Sequence, residues 1–172
     1  MSSVDIAETY PLSGMQHAML AHTLLAPGSG VDILQLELTL REAIDLAALR
    51  GALQAMIDRH PVLRTAFRWK GLEEPQQDVR ARAELSFTRA DLSASGRGEA
   101  HAAIAAYLED DRLRGFDPSI APLHRVALFT LGPEDHRLIW TFHHALVDGR
   151  SLRVVVTELF AVYDARDRKS VV

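Results

Sequence analysis

The sequence contains no cysteine, which excludes disulfide bonds, thiolate nucleophiles and cysteine-ligated zinc sites together. It also lacks runs of one charge: 19 Lys and Arg residues stand against 23 Asp and Glu residues, and the arginines are spread along the chain. Proteins that bind nucleic acid normally gather their basic residues in a patch or stripe. We therefore expect no nucleic-acid partner.

Long apolar runs are missing as well. No apolar stretch approaches the roughly 20 residues that a bilayer-spanning helix needs. The first five residues, MSSVD, lack the basic and apolar regions of a secretory signal peptide. We expect no membrane association, and a cytoplasmic location is the simplest account of a chain without cysteine.

The composition is that of an ordinary folded protein, with 48% hydrophobic and 24% charged residues in 172. This length suffices for one domain with its own core, or for one lobe of something larger, but not for two domains. We therefore treat residues 1–172 as one unit, with a charged tail at residues 165–172 that we expect to fray.

Apolar periodicity and turn residues predict four helices and six strands. The predicted helices lie at about residues 13–25, 45–60, 99–114 and 151–164, and the strands at 34–40, 62–69, 77–80, 85–89, 123–131 and 136–142. A Gly-Pro-Glu-Asp turn between the last two strands predicts an antiparallel hairpin. The order indicates an α+β fold with helices packed on one face of a mixed, largely antiparallel sheet.

The hairpin leads into the densest group of titratable residues, in the segment FHHALVDGRS at residues 142–151. Neighbouring side chains of a strand point to opposite faces, so His143 and His144 cannot both enter one cavity unless the backbone turns. A histidine can accept and return a proton near neutral pH. Asp148 could orient an imidazole or pair with an arginine, while Gly149 could permit a turn closed to other residues and offer its amide to an oxyanion.

Other interpretations of this segment remain open from the residues alone. Ser151 is better placed as the cap of the last helix than as a nucleophile. A metal site would need a third ligand from His17, His22 or His124, and no spacing argument selects one of them. The histidines and the aspartate could also be a hydrogen-bonded structural cluster.

Three stretches follow one another along the chain: LSGMQ at residues 12–16, RHPVLRTAF at residues 59–67 and HHALVDG at residues 143–149. Together, in this order, they resemble the motifs of the condensation domains of nonribosomal peptide synthetases, which have a chloramphenicol-acetyltransferase-like fold. Residues 143–149 match the HHxxxDG motif, and residues 59–67, RHPVLRTAF, are similar to RHxxLRTxF. Residues 12–16, LSGMQ, resemble the first motif of the family. A condensation domain consists of two lobes that each have this fold, and the resemblance covers the N-terminal lobe only.

The resemblance implies a role for each residue of the HHxxxDG motif. His144 would lie in the channel between the lobes and position or deprotonate an acceptor amine, with the Gly149 amide near the oxyanion. His143 would be structural, and Asp148 would bridge to an arginine of the second motif. We expect that arginine to be Arg64 rather than Arg59, because Arg64 falls within a predicted strand.

The same resemblance implies the partners. Carrier proteins would deliver the acyl groups on phosphopantetheine, and the chain itself would bind no cofactor and no metal. Because the C-terminal lobe is missing, we expect little or no condensation by this chain alone. Two alternatives are a non-catalytic half-domain that docks a carrier protein or another part of a synthetase, and an acyltransferase that completes its site by self-association.

Overall fold

The computed structural model of the chain describes residues 5–167. Within that range the chain forms β1 (Ile6–Pro11), α1 (Gly14–Leu25), β2 (Ile33–Leu40), α2 (Leu46–Arg59), a 3-10 turn (Pro61–Arg64), β3 (Thr65–Arg68), β4 (Gln76–Arg80), β5 (Phe87–Asp91), α3 (Arg97–Arg114), β6 (His124–Gly132), β7 (Asp135–His143) and α4 (Gly149–Asp167). None of the helices described is long and apolar enough to cross a membrane.

The strands make two sheets. The larger sheet has the order β2-β7-β6-β5, in which β7 is antiparallel to both neighbours and β5 is parallel to β6. The smaller sheet has the order β1-β4-β3 and is antiparallel throughout. The hairpin predicted between the last two strands is therefore confirmed, as is the α+β class with a largely antiparallel sheet.

Helices cover both faces of the larger sheet, so the prediction that all helices lie on one face is wrong. One face of β6 and β7 packs against α2 and α4, and the other packs against Ile104 of α3. The reason is visible in the two strands, whose apolar residues occupy successive positions and so point to both faces. These successive residues are Val126, Ala127, Leu128 and Phe129 in β6, and Leu138, Ile139 and Trp140 in β7.

The main core lies between α2, α4 and the larger sheet. Leu49, Leu53 and Ile57 on one face of α2 are fully buried, and burying each such side chain contributes about 1.5–3 kcal/mol. Asp45 caps α2 as predicted, because its Oδ1 accepts hydrogen bonds from two backbone amides of the first turn at 2.8 and 2.9 Å. Its own amide donates to the hydroxyl of Tyr163 of α4 at 3.1 Å.

The start of α1 also agrees with the sequence pattern. The Ser13 hydroxyl accepts from the amide of Gln16 at 3.3 Å, and the Gln16 side chain accepts from the amide of Ser13 at 2.9 Å. This is the predicted capping box. The Gln16 side chain also exchanges hydrogen bonds with Gln77 of β4, so it links α1 to the smaller sheet.

Three local features differ from the sequence prediction. Strand β1 was not predicted, because its residues are exposed throughout and show no apolar alternation. The segment after Pro61 begins as a 3-10 turn, since a proline suits the first position of a helical turn. The tail expected to fray at residues 165–172 overlaps the end of α4, where residues 165–167 are helical, and residues 168–172 lie outside the described part.

Candidate active site

Strands β2 and β6 fix the main chain of the double histidine. His143 is the last residue of β7 and lies opposite Ile33 of β2. Its amide donates to the carbonyl of Leu123 at 2.9 Å, while the amide of His144 donates to the carbonyl of Asp32 at 2.8 Å. The main-chain amides of the two histidines thus bond to segments on opposite sides of β7, just before the chain turns towards α4.

The His143 side chain is fully buried. Its Nδ1 accepts a hydrogen bond from the amide of Ala145 at 3.1 Å, so the proton of the neutral ring is on Nε2. Nε2 lies 2.9 Å from the Thr23 hydroxyl and 3.4 Å from Oδ2 of Asp32. Burial lowers the pKa of His143, Asp32 offsets part of this effect, and the neighbouring His144 lowers the pKa further.

The His144 side chain, by contrast, is only partly buried. Its Nδ1 lies 3.1 Å from the carbonyl oxygen of Val147, which can only accept, so Nδ1 carries the proton. No hydrogen bond to Nε2 is formed by any residue between 5 and 167. In the neutral ring this nitrogen therefore has a lone pair available for an incoming proton.

Asp148 is the cap of α4. Its carbonyl accepts from the amide of Leu152 at 2.9 Å, and its Oδ1 accepts from the amide of Ser151 at 2.7 Å. Hydrogen bonds from Ser151 hold the pKa of Asp148 below its usual range. The prediction that Ser151 caps this helix is therefore wrong, since Ser151 supplies the amide that Asp148 caps.

Gly149 is the first residue of α4. Its φ angle does not lie in the left-handed region, and a Cβ atom built on it would meet nothing within 4 Å. The expectation that the backbone here requires glycine is therefore wrong. The position of the Gly149 amide is chemically useful, because the first amides of a helix have no intrahelical acceptor and lie at its positive end.

Within residues 5–167, neither Arg64 nor Arg59 forms the predicted bridge to Asp148. The guanidinium of Arg64 donates to the carbonyls of Ile57 at 2.6 Å and Asp58 at 2.5 Å, and to that of Arg80 at 3.0 Å. The 3-10 turn carries Arg64 back onto the last carbonyls of α2, which attract a cation.

Arg59, the other candidate, is engaged elsewhere. Its Nε lies 3.1 Å from a carboxylate oxygen of Glu158 in α4. The same oxygen lies 2.9 Å from Nε2 of His60. Glu158 therefore ties the end of α2 to α4, and both arginines of the second motif hold α2 in place rather than the HHxxxDG loop.

The other histidines do not assemble a metal site. His124 is a core residue whose Nδ1 accepts from the indole of Trp140 at 3.3 Å and whose Nε2 lies 3.2 Å from the carbonyl of Leu63. Burial lowers the pKa of His124 to about 4. Across residues 5–167, no three His, Cys, Asp or Glu side chains are arranged to hold a metal ion.

Sequence reasoning missed two residues at this site, Asp32 and Thr23. Asp32 is buried, with only 7% of its surface exposed. An isolated acid directly before the apolar strand β2 was the one available signal, because a carboxylate there must find donors if it is buried. Thr23 gave no signal, since a threonine within α1 is unremarkable in sequence.

Comparisons with known proteins identify relatives along almost the whole chain. The family model for the condensation domain matches residues 6–171. A linear gramicidin synthase protein of Brevibacillus parabrevis is 41% identical over 164 residues, 94% of this chain but 3% of that protein. Bacitracin synthase 1 of Bacillus licheniformis is 35% identical over 162 residues, 94% of this chain and 3% of that protein. The chain thus spans a small part of the curated relatives it matches.

Two solved structures share the fold. The starter condensation domain of rhizomide synthetase superposes with a TM-score of 0.84 at 24% identity, covering 95% of this chain and 40% of that one. The first condensation domain of the calcium-dependent antibiotic synthetase gives a TM-score of 0.84 at 21% identity, covering 96% and 41%. With the family model matching nearly every residue, the chain belongs to the condensation-domain family and spans part of one such domain.

Proposed function

We propose that the chain is the N-terminal, histidine-bearing lobe of a nonribosomal peptide synthetase condensation domain, which forms an amide or ester bond between carrier-bound groups. The observation that carries this proposal is the state of His144. Its Nδ1 is committed to the carbonyl of Val147, whereas its Nε2 is left without a partner among the described residues. A general base needs this arrangement, in which one ring nitrogen is free to accept a proton from the substrate.

The reaction follows from these positions. The acceptor amine attacks the carbonyl carbon of the donor thioester, so that a C–N bond forms and the C–S bond breaks. Nε2 of His144 takes the proton that the amine loses and returns it to the departing thiolate. The amide of Gly149, at the positive end of α4, is the donor that we assign to the negative oxygen of the tetrahedral intermediate.

The neighbouring residues shape the site and do not react. His143 is buried with both ring nitrogens occupied, which leaves it no access to substrate. Asp148 is occupied as the cap of α4. We therefore assign the chemistry to His144 and Gly149, and the shape of the loop to His143 and Asp148.

The partners in this proposal are carrier proteins, whose phosphopantetheine groups hold the acyl chains as thioesters, in the cytoplasm. The chain matches 40% of the length of a solved condensation domain, so a substrate channel between lobes has only one of its walls here. Catalysis depends on reacting groups held in place with water excluded. We therefore expect little or no turnover by this lobe alone.

The test is a condensation assay with thioester-loaded carrier proteins, with the chain alone and with the chain joined to a C-terminal lobe. The joined protein should form product, and His144→Ala should lower the rate by about 10²–10⁴-fold, the usual contribution of a general base. His101→Ala, on the exposed face of α3, is the matched control and should be neutral. Carrier binding without any product in the joined protein would favour the docking half-domain instead.

The role of the Gly149 amide has its own test. Proline is well tolerated at the first position of a helix, where it removes only the amide hydrogen. Gly149→Pro should therefore fold and lose at least about tenfold in turnover, whereas Gly149→Ala keeps the amide and serves as the control. Equal turnover of the two variants would remove the amide from the mechanism.

A further inference from the structure

Asp32 contacts both histidines of the HHxxxDG loop, and no sequence motif predicts these contacts. Its main-chain carbonyl accepts from the amide of His144 at 2.8 Å. Its side chain lies 3.4 Å from Nε2 of His143 and accepts from the hydroxyl of Thr23 at 2.5 Å. One residue thus touches the main chain of one motif histidine and the ring of the other.

The loop that carries Asp32 is itself held in place. The guanidinium of Arg112, from α3, donates to the carbonyl of Gly30 at 3.3 Å and to that of Ile33 at 3.1 Å. Gly30 has a φ of 69°, and its Cα packs against the stem of Arg112 so closely that a Cβ atom would lie 2.6 Å from Cγ. The backbone on both sides of Asp32 is therefore held in place, which fixes the position of Asp32 relative to the two histidines.

Hydrogen bonds run from Asp32 to the histidine loop in a continuous series. The Thr23 hydroxyl lies 2.9 Å from the carbonyl of Met19 and 2.5 Å from Oδ2 of Asp32, and we assign its single hydrogen to the closer, charged Asp32. The Thr23 oxygen accepts from Nε2 of His143, which leaves Nδ1 of that ring to accept from the amide of Ala145. The carbonyl of His143 accepts from the amide of Leu146 at 3.0 Å and completes the turn.

The turn determines what His144 can do. It places the Val147 carbonyl against Nδ1 of His144, and a proton on Nδ1 leaves Nε2 as the basic nitrogen. If His143 took the other tautomer, its Nδ1 would carry a hydrogen facing the hydrogen of the Ala145 amide, and the turn would lose that contact. The tautomer of the buried His143 therefore sets the tautomer of the partly buried His144.

We propose that Asp32, acting with Thr23, is a positioning residue of the active site, which fixes the Nε2-protonated tautomer of His143 and thereby the Nδ1-protonated tautomer of His144. Neither residue touches the substrate. The inference builds on the proposed function, since it concerns the nitrogen that would accept the substrate proton. The tautomers themselves exist whether or not the chain takes part in condensation.

The experiment reads the ring nitrogens of both histidines by ¹H–¹⁵N NMR in the 172-residue chain, at a pH where the rings are neutral. In the Thr23→Val/Asp32→Ala variant, Nε2 of His143 loses both acceptors. The tautomer ratio of His143 should change by about tenfold, the effect of losing one buried hydrogen bond. The Nδ1-protonated fraction of His144 should fall with it.

A second variant keeps the test decisive if the double variant does not fold. Asp32→Asn retains an oxygen that can accept from Nε2 but removes the charge. The tautomers should then stay as they are, while the pKa of His143 falls, since the Asp32 charge is the group that raises it and His144 is the other ionisable group that acts on the ring.

Asp45→Ala is the control for general destabilisation. Asp45 caps α2 beyond the far end of β2, away from the histidines, and its loss should leave both tautomers unchanged. Unchanged tautomers in the folded double variant, or a shift of equal size in Asp45→Ala, would overturn the proposal. Because the readout needs no turnover, a failure of the condensation assay would leave this result intact.

Discussion

Asp111 of α3 and Arg125 of β6 form a buried ion pair, with Nε of the arginine 2.5 Å from Oδ1 of the aspartate. The Asp111 side chain is fully buried, and its other oxygen accepts from the hydroxyl of Thr141 in β7 at 2.6 Å. Gln35 of β2 donates to the same oxygen at 3.2 Å. A single carboxylate thus joins α3 to three strands of the larger sheet.

Replacing Asp111 by alanine should lower the free energy of unfolding by about 3 kcal/mol, because it leaves the largely buried guanidinium of Arg125 without its carboxylate partner. Urea unfolding followed by circular dichroism measures this change. Asp110→Ala removes the neighbouring, exposed acid and should change the stability by less than about 0.5 kcal/mol. Similar losses in the two variants would contradict the role of the ion pair.

His124 should make the stability depend on pH in mildly acidic solution. Its pKa is about 4 in the folded protein and 6.5 in the unfolded chain, so the unfolded chain binds a proton first as the pH falls. The stability from this group is therefore complete above about pH 6.5 and is lost towards pH 4, by about 3 kcal/mol in total. The lowered pKa of His143 acts in the same direction.

The measurement is urea unfolding at a series of pH values between about 7.5 and 4 for the wild type and His124→Gln. Glutamine can accept from the Trp140 indole and donate to the Leu63 carbonyl, as His124 does, but it does not titrate. The variant should therefore lose much of the pH dependence of stability. His17→Gln, at an exposed position of α1, should keep the slope of the wild type. The assignment fails if His124→Gln and the wild type show the same slope.

The Asp148 side chain should matter as a hydrogen-bond acceptor and not as an ion-pair partner. Asp148→Ala removes the cap of α4 and should lower the temperature of unfolding, whereas Asp148→Asn keeps an acceptor and should be nearly neutral. Thermal unfolding distinguishes the two. An asparagine variant as unstable as the alanine variant would instead point to the arginine bridge expected from the sequence.

Gly30 should be less replaceable than Gly71, although both have positive φ angles, of 69° and 75°. An alanine at either position is strained, at a cost of about 1–2 kcal/mol. At Gly30 the new Cβ would also press on the stem of Arg112, while at Gly71 it would meet nothing within 4 Å. Gly30→Ala should therefore be the less stable variant by about 1 kcal/mol in chemical unfolding.

Local patterns determined much of the secondary structure. The Ser13 capping box, the Asp45 cap and the period-two alternation of β2 each depend on residues a few positions apart, so they can be read without the fold. The order of the motifs likewise indicated the family that the comparisons confirm. The position of the double histidine where the last strand ends followed from the same local reasoning.

Only the tertiary structure decided which groups meet. Arg64 turns onto the carbonyls of α2, and Asp148 caps α4, because a 3-10 turn and a helix start lie where the sequence suggested a strand and a loop. Thr23 reaches His143 across 120 positions of the chain. Such contacts depend on the packing of α1 and β2 around the end of β7, and no short-range sequence pattern predicts this packing.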